Sequence, residues 1–160
     1  MASAVLPLNP ATIKLLERPD LDAAVGLFEA QLREHRIAST AQELRTVIET
    51  VVSHPEHGFM LLASVGERPV GVAYAAALLS LEHAGIVGWV EELYVVPDSR
   101  GVGIGSALLN EVLSRAVQSG WKGVELELIA GHERAGRLYV RHGFHPLARR
   151  RYSRIFTSRR

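Results

Sequence analysis

Three groups of residues have types and spacings that could do chemistry. The first is Arg100-Gly101-Val102-Gly103-Ile104-Gly105, with three glycines in six residues. Glycine has no Cβ, so such a backbone can approach a ligand closely and turn several N–H groups toward it. Where the loop opens a helix, those N–H groups lie at the helix's positive end, which suits phosphate. The second group is the adjacent pair Glu91 and Glu92, carboxylates that could serve as a general base. The third is Tyr139, whose phenol, with an ordinary pKa of about 10, stays protonated at neutral pH and can donate.

The glycine loop can be narrowed by pattern. A P-loop needs G-x-x-x-x-G-K-[ST], and no lysine follows these glycines. A dinucleotide fingerprint needs G-x-G-x-x-G, and counted from Gly101 or Gly103 the third glycine is missing. Arg100, Gly103 and Gly105 do satisfy R-x-x-G-x-G. The competing interpretation is a glycine-rich turn with no ligand.

The elements around these groups follow from periodicity and turn residues. Ala11 to Leu16 reads as a strand. Arg18-Pro19-Asp20 is a turn whose Asp20 can cap a helix carrying Leu21, Ala24, Val25, Phe28 and Leu32 on one face, to about Glu34. Thr40 with Glu43 forms a capping-box pattern for a second helix with Leu44, Val47, Ile48, Val51 and Val52 on its apolar face. Phe59 to Val65 and Val70 to Leu79 read as a hairpin through Gly66-Glu67, and Gly85 to Val96 as the next strand. Pro97-Asp98 ends that strand. A helix follows the glycine loop and stops near Ser119-Gly120; then come a strand over Val124 to Ile129 and a short helix over Glu133 to Arg141. A last hairpin or strand pair is expected over Phe144 to Phe156. The order is β-α-α-β-β-β-α-β-α-β. The strand-helix-strand unit through the glycine loop implies a parallel pair with a right-handed crossover; the short links elsewhere imply antiparallel pairing. A mixed sheet of this kind places its crevice at the carboxyl ends of the parallel strands.

The segment E-E-L-Y-V-V-P-D-S-R-G-V-G-I-G-S-A-L-L resembles the central segment of the GCN5-related N-acetyltransferases (the GNAT superfamily). E-R-A-G-R-L-Y-V-R-H-G-F, Glu133 to Phe144, resembles that family's late helix and the Gly-Phe after it. The two stand in the family's order and span Trp89 to His145, a little over a third of the chain. The resemblance implies one GNAT-like domain over residues 1–160. Its sheet is mixed and mostly antiparallel, with a central parallel β-α-β unit and helices on both faces. It implies acetyl-CoA as cosubstrate, with no metal, and the pyrophosphate held by Arg100, Gly101, Val102, Gly103, Ile104, Gly105 and Ser106. The pantetheine arm would lie between the two splayed parallel strands, against backbone groups of Tyr94, Val95 and Val96. An N–H near Val95 would polarise the thioester carbonyl.

Roles for the other residues follow the same resemblance. Several small-amine acetyltransferases of the family carry a carboxylate at the position of Glu91, so Glu91 is the preferred base and Glu92 the second. Adjacent strand residues face opposite sides, so only one should reach the substrate unless a bulge intervenes. Tyr139 stands where the family has its acid. His132, seven residues earlier, replaces the usual asparagine that contacts the cofactor arm; imidazole can make a comparable hydrogen bond. Each has a plainer alternative: a solvated glutamate, and a tyrosine packed through its ring.

Bulk properties set the outer limits. The chain has 160 residues, 48% hydrophobic, with a net charge of +1, so one ordinary globular domain is expected, with no global pull toward nucleic acid or membrane. There is no cysteine, which removes disulfides, thiolate metal sites and an acyl-cysteine intermediate, and fits a cytoplasmic setting. Met1 to Pro10 lacks a signal peptide's basic start and apolar core. His54 and His57 are separated by Pro55, and His142 and His145 flank Gly-Phe; neither pair is expected to bind a metal. Arg149, Arg150, Arg151 and Arg154 read as a solvated strand edge, with a cofactor 3′-phosphate as the alternative contact. The expected reaction is direct acetyl transfer to a primary amine, favoured as a small cation because Glu82, Glu91 and Glu92 could form an acidic mouth. The alternatives are a protein N-terminal or lysine amine, and a module that binds acyl-CoA without turnover. The family's late strands often form homodimers, and Phe144 to Phe156 is the stretch that could serve.

Overall fold

The computed structural model describes residues 10–156. Most of the segment assessed for a signal peptide lies outside them. The elements are β1 (Thr12–Leu15), α1 (Leu21–Glu34), α2 (Ala41–Ser53), β2 (Gly58–Val65), β3 (Arg68–Ser80), β4 (Gly85–Val95), α3 (Ile104–Gln118), β5 (Gly123–Leu126) and α4 (Glu133–Arg141). The five strands form one sheet in the order β1-β2-β3-β4-β5. The first three pairings are antiparallel, and β4 with β5, the pair bracketing α3, is parallel. Among the described residues no helix is long and apolar enough to cross a membrane.

Alternation along the strands divides the core into two layers. On one face Met60, Leu62, Val72 and Tyr94 pack with Ala24, Leu27 and Phe28 of α1 and with Ile48 and Val51 of α2. On the other, Leu61, Ala63, Val70, Ala73, Ala75 and Val90 pack with Ile104, Leu108 and Val112 of α3. Helices therefore cover both faces, and α3 pins its own N-terminus against the end of β4.

The Thr40–Glu43 capping box forms: the Glu43 N–H donates to Thr40 Oγ1 at 3.2 Å, and the Thr40 N–H donates to the Glu43 carboxylate at 2.8 Å. Asp20 precedes α1 but does not cap it through its side chain. Its carboxylate instead takes the Glu17 N–H at 3.0 Å and Lys14 Nζ at 2.7 Å.

The expected final hairpin is corrected. Phe144 to Phe156 contains no strand. Its apolar residues have no core to alternate toward: Leu147, Tyr152, Ile155 and Phe156 are 50 to 86% exposed. Its arginines are used individually, Arg149 on Glu82 and Arg151 on Glu127 and over the Trp89 ring. Side-chain ties of this kind hold the segment without a backbone ladder, and β5 is left as the sheet's last strand among the described residues.

Candidate active site

The loop is built by a turn and two left-handed glycines. Pro97–Ser99 makes one turn of 3-10 helix, after which Gly101 and Gly103 have φ of +83° and +93°, values that side-chain-bearing residues rarely adopt. Gly103 sits at the N-cap of α3. A Cβ there would meet nothing within 4 Å, so the approach to the helix end is open. The first intrahelical bond runs from the Ala107 N–H to Gly103 O at 2.9 Å, which leaves the N–H groups of Ile104, Gly105 and Ser106 without intrahelical acceptors. No acidic residue occupies the first turn of α3. The helix end therefore presents an uncompensated positive potential worth about half an elementary charge.

Arg100 does not contribute a free cation there. Its Nε donates to Val95 O at 2.7 Å, and its Nη2 contacts both Glu34 oxygens at 2.9 Å. Tyr94 donates to the same Glu34 carboxylate at 3.0 Å and lies under the guanidinium. The arginine staples the loop to the last turn of α1. The guanidinium near the loop is that of Arg134, on α4: a Cβ added to Gly101 would come within 2.9 Å of it. Ser106 is bound by His142. The Nδ1 of His142 lies 2.9 Å from Leu138 O, which can only accept, so Nδ1 carries a proton; Nε2 lies 2.9 Å from Ser106 Oγ. Ile104 is buried in the core, whereas Val102 is half exposed on the rim.

Beyond the loop the two parallel strands part. Their pairing ends at Val90↔Leu126, while β4 continues to Val95. The Val96 N–H donates to Val70 O at 2.9 Å. Alternation along an antiparallel ladder then turns the Val95 N–H and C=O away from β3, toward the edge β5 has left. Val95 O on that edge is the oxygen held by Arg100; the Val95 N–H faces the gap.

The carboxylates stand where the strand is irregular. Tyr74 pairs with Glu92 and Ala75 with Val90, so Glu91 is an extra residue, a β-bulge. If all three residues alternated regularly, Val90 and Glu92 would share a face. With the bulge, Val90 faces α3 and Glu92 faces α1. Glu91 is exposed and Glu92 half-buried. Glu92 Oε2 accepts from Nε2 of Gln31, a buried side chain on α1. Burial, and secondarily the Glu91 charge, push the Glu92 pKa up to about 7. The structure therefore distinguishes the two carboxylates: the enclosed one is Glu92, whereas Glu91, the preferred candidate from the sequence, is exposed.

Tyr139, on α4, packs its ring edgewise on Phe144 at 5.8 Å. Burial raises its pKa, and the charge of Glu92 raises it further, so the phenol keeps its proton. His132 is the N-cap of α4. It is exposed, and its ring lies 5.7 Å from that of His35, the residue closing α1. Glu82 lies at the opposite end of β4 from Glu92 and is bound to Arg149; of the three acids expected to share a mouth, only Glu91 and Glu92 are neighbours. No three His, Asp or Glu side chains converge on a metal position among the described residues.

The family model described as Acetyltransferase (GNAT) family matches residues 24–144, which takes in the loop, both glutamates and Tyr139. The chain belongs to the GNAT family. It is accordingly an acetyl-CoA-dependent acetyltransferase. An uncharacterised N-acetyltransferase of Archaeoglobus fulgidus is 28% identical over 80% of this chain and 88% of its own length. Another, of Methanocaldococcus jannaschii, is 30% identical over 83% of this chain and 60% of its own length. Among solved structures, the aminoglycoside N-acetyltransferase AAC(6')-Iy in complex with CoA superimposes with a TM-score of 0.81 at 16% identity, covering 96% of this chain and all of that one (100%).

Within this GNAT chain, three residues that line or brace the site carry no obvious motif. Glu34 and Arg134 sit at helix ends, where charges are ordinary. Gln31 left a clearer signal: it lies three residues after Phe28 and four after Leu27, on the buried stripe of α1, where a polar side chain calls for a partner.

Proposed function

We propose that this acetyltransferase moves the acetyl group directly to a primary amine of a small cationic molecule, with Glu92 as general base and Tyr139 as general acid. The observation that carries the assignment of the base is the bulge at Glu91. It turns Glu92 toward α1, half-buried beside the parting of β4 and β5, with a pKa near neutrality. A base poised near the working pH is the efficient one.

The residues present fit acetyl-CoA. The open left-handed Gly103, the free N–H groups opening α3 and Arg134 suit a pyrophosphate. The Val95 N–H suits a carbonyl on the vacated edge of β4. When bound, acetyl-CoA supplies an acetyl thioester, an acyl group activated toward an amine. Glu92 removes one proton from the substrate ammonium and becomes a neutral carboxylic acid, freeing the nitrogen lone pair to form the C–N bond. Tyr139 gives the sulfur its proton as the C–S bond breaks; the second proton that the nitrogen sheds on becoming an amide passes to solvent, from which the phenol is restored, and Glu92 releases its own proton to solvent before the next turnover. With no cysteine in the chain, an acyl-thiol enzyme has no place in this route. The adjacent carboxylates Glu91 and Glu92 would draw in an ammonium, and the AAC(6')-Iy neighbour acts on aminoglycosides, which are small polyamines.

The test is acetyl transfer from isotope-labelled acetyl-CoA to a panel containing polyamines, aminoglycosides, amino acids, and peptides with free N-termini or lysines. Labelled small amines are expected. Labelling confined to peptides would overturn the substrate class, and binding of acetyl-CoA without transfer to any amine would favour a binding module.

A further inference from the structure

Gln31 is the buried polar side chain for which the fold offers no structural reason. It sits on α1 at 5% exposure among Leu27, Phe28 and the apolar side chains of the first core layer. Its Nε2 donates to Glu92 Oε2. Its Oε1 is buried and has no hydrogen-bond partner. Leaving a buried acceptor unpaired is destabilising, and an apolar side chain of the same length would avoid that cost. The amide therefore does something that leucine or methionine could not.

What an amide has, and an apolar or purely cationic side chain lacks, is a donor and an acceptor on one group. A general base passes through two states. Before it acts, the carboxylate can only accept hydrogen bonds; afterwards it carries an O–H and must donate one. We propose that Gln31 is a positioning residue that serves both states of Glu92: its Nε2–H holds the carboxylate before proton removal, and its free Oε1 takes the carboxylic O–H afterwards. A half-turn of the amide about its last side-chain bond exchanges the two. The proton balance is one ammonium proton moved to Glu92 and none to Gln31. This inference rests on the assignment of Glu92 as the base.

The surroundings leave Gln31 as the neutral partner in the set. From β4 itself, Glu91 opposes ionisation of Glu92. From β3, Tyr74 stands directly across the ladder. From α4, the Tyr139 phenol senses the Glu92 charge. From α1 comes Gln31. Among the described residues, it is the one whose side chain is shown donating to the carboxylate, and it does so without bringing charge.

The experiment replaces Gln31 with Met, which keeps length and apolar fit and removes both functions of the amide. Two quantities are followed on the full chain. The Glu92 carboxyl titration is read by carbon-13 NMR with labelled glutamate, and the pH profile of kcat/KM with an amine found in the panel. Both states lose a partner, but the charge-assisted bond to the carboxylate is the stronger of the two, so the titration midpoint is expected to rise by about one unit, to carry the acidic limb of the rate profile up with it, and to leave the KM for acetyl-CoA unchanged. Gln31→Leu, read in the same way, stands in if the methionine variant does not fold. An unmoved carboxyl midpoint overturns the pairing proposed for Gln31 and leaves Glu92 as a candidate base. A midpoint that rises while the rate profile stays fixed overturns Glu92 as the base, and the positioning role with it.

Discussion

Two consecutive stretches of β4 behave differently. Val87–Val90 is hydrogen-bonded on both edges, to β3 and to β5, and Gly88 lies so close to Trp121 that an added Cβ would fall 2.5 Å from its ring. Glu91–Val95 is paired on the β3 side alone, begins with a bulge, and carries both acids. The doubly paired half fixes where the strand is. The singly paired half has spare backbone groups and a turned face. The proposed chemistry occupies the half whose ladder is incomplete, and the neighbouring complete ladder keeps that half in place.

The contrast can be broken most sharply at Glu92. Glu92→Gln should lower kcat by about 10²- to 10⁴-fold, with partial recovery at higher pH as more of the amine is neutral beforehand. The same variant should be no less stable. A carboxyl whose pKa rises from 4.5 to about 7 on folding opposes the folded state once it ionises. That cost is absent below about pH 4.5, grows as pH rises, and is complete above about pH 7. The thermal midpoint of Glu92→Gln relative to the parent should therefore be higher at pH 8 than at pH 4. Equal turnover of parent and variant would remove Glu92 from the mechanism.

Tyr139→Phe comes next. It keeps the ring packed on Phe144 and deletes the hydroxyl, so kcat should drop by about 10²-fold with the KM for acetyl-CoA little changed. A rise in KM alone would make the hydroxyl a binding group instead.

In the doubly paired half the expected loss is of stability. Gly88→Ala forces a methyl group against Trp121, and overpacking of this kind costs about 1–3 kcal/mol. In a domain of this size that lowers the thermal midpoint by about 2–4 °C per kcal/mol, while kcat per folded molecule should stay as it was. An equal loss of activity in the folded variant would mean that the two halves are not separable.

The smallest effect sharpens the comparison within the upper half. Glu91→Gln should change kcat by less than about tenfold, below the usual contribution of a general base. It removes the charge that opposes ionisation of Glu92, so the acidic limb of the rate profile should move to lower pH. A limb that stays in place would show that Glu91 is too well solvated to act on its neighbour.

Much of this architecture could be read from side-chain patterns. The apolar face of α1, the Thr40 capping box, the glycine loop and the short α4 all appear where periodicity and turn residues put them, because each is governed by neighbours in sequence. The terminal hairpin was not there. Phe144 to Phe156 has strand-forming residues, but its Arg149 and Arg151 are tied to Glu82 and Glu127, in the loops before β4 and after β5, and its backbone joins no strand. The difference between Glu91 and Glu92 was hidden for another reason. Strict alternation assigns the two to opposite faces but does not say which, and the face changes with one unpaired residue. Arg100 matched the loop motif, yet its guanidinium is taken by Glu34 and Val95 O; a motif records a residue type and leaves its orientation open.

The bulge also bears on how this site can vary between descendants of one ancestral chain. Exchange of one amino acid for another alters what stands at a position, whereas the facing of an acid depends on how many positions the strand contains. Loss of the codon for Glu91 would leave Val90 across from Ala75 and Glu92 across from Tyr74, the partners they already have, in an unbroken ladder. Loss of the codon for Leu93 could be absorbed by straightening the same bulge, and Glu91 would then move across from Tyr74 and inherit the inward place. Two glutamates in succession at the bulge of β4 thus make the inward carboxylate tolerant of a change in count. Exchange of Glu92 alone, by contrast, removes the inward carboxylate, since Glu91 moves inward only when the count changes.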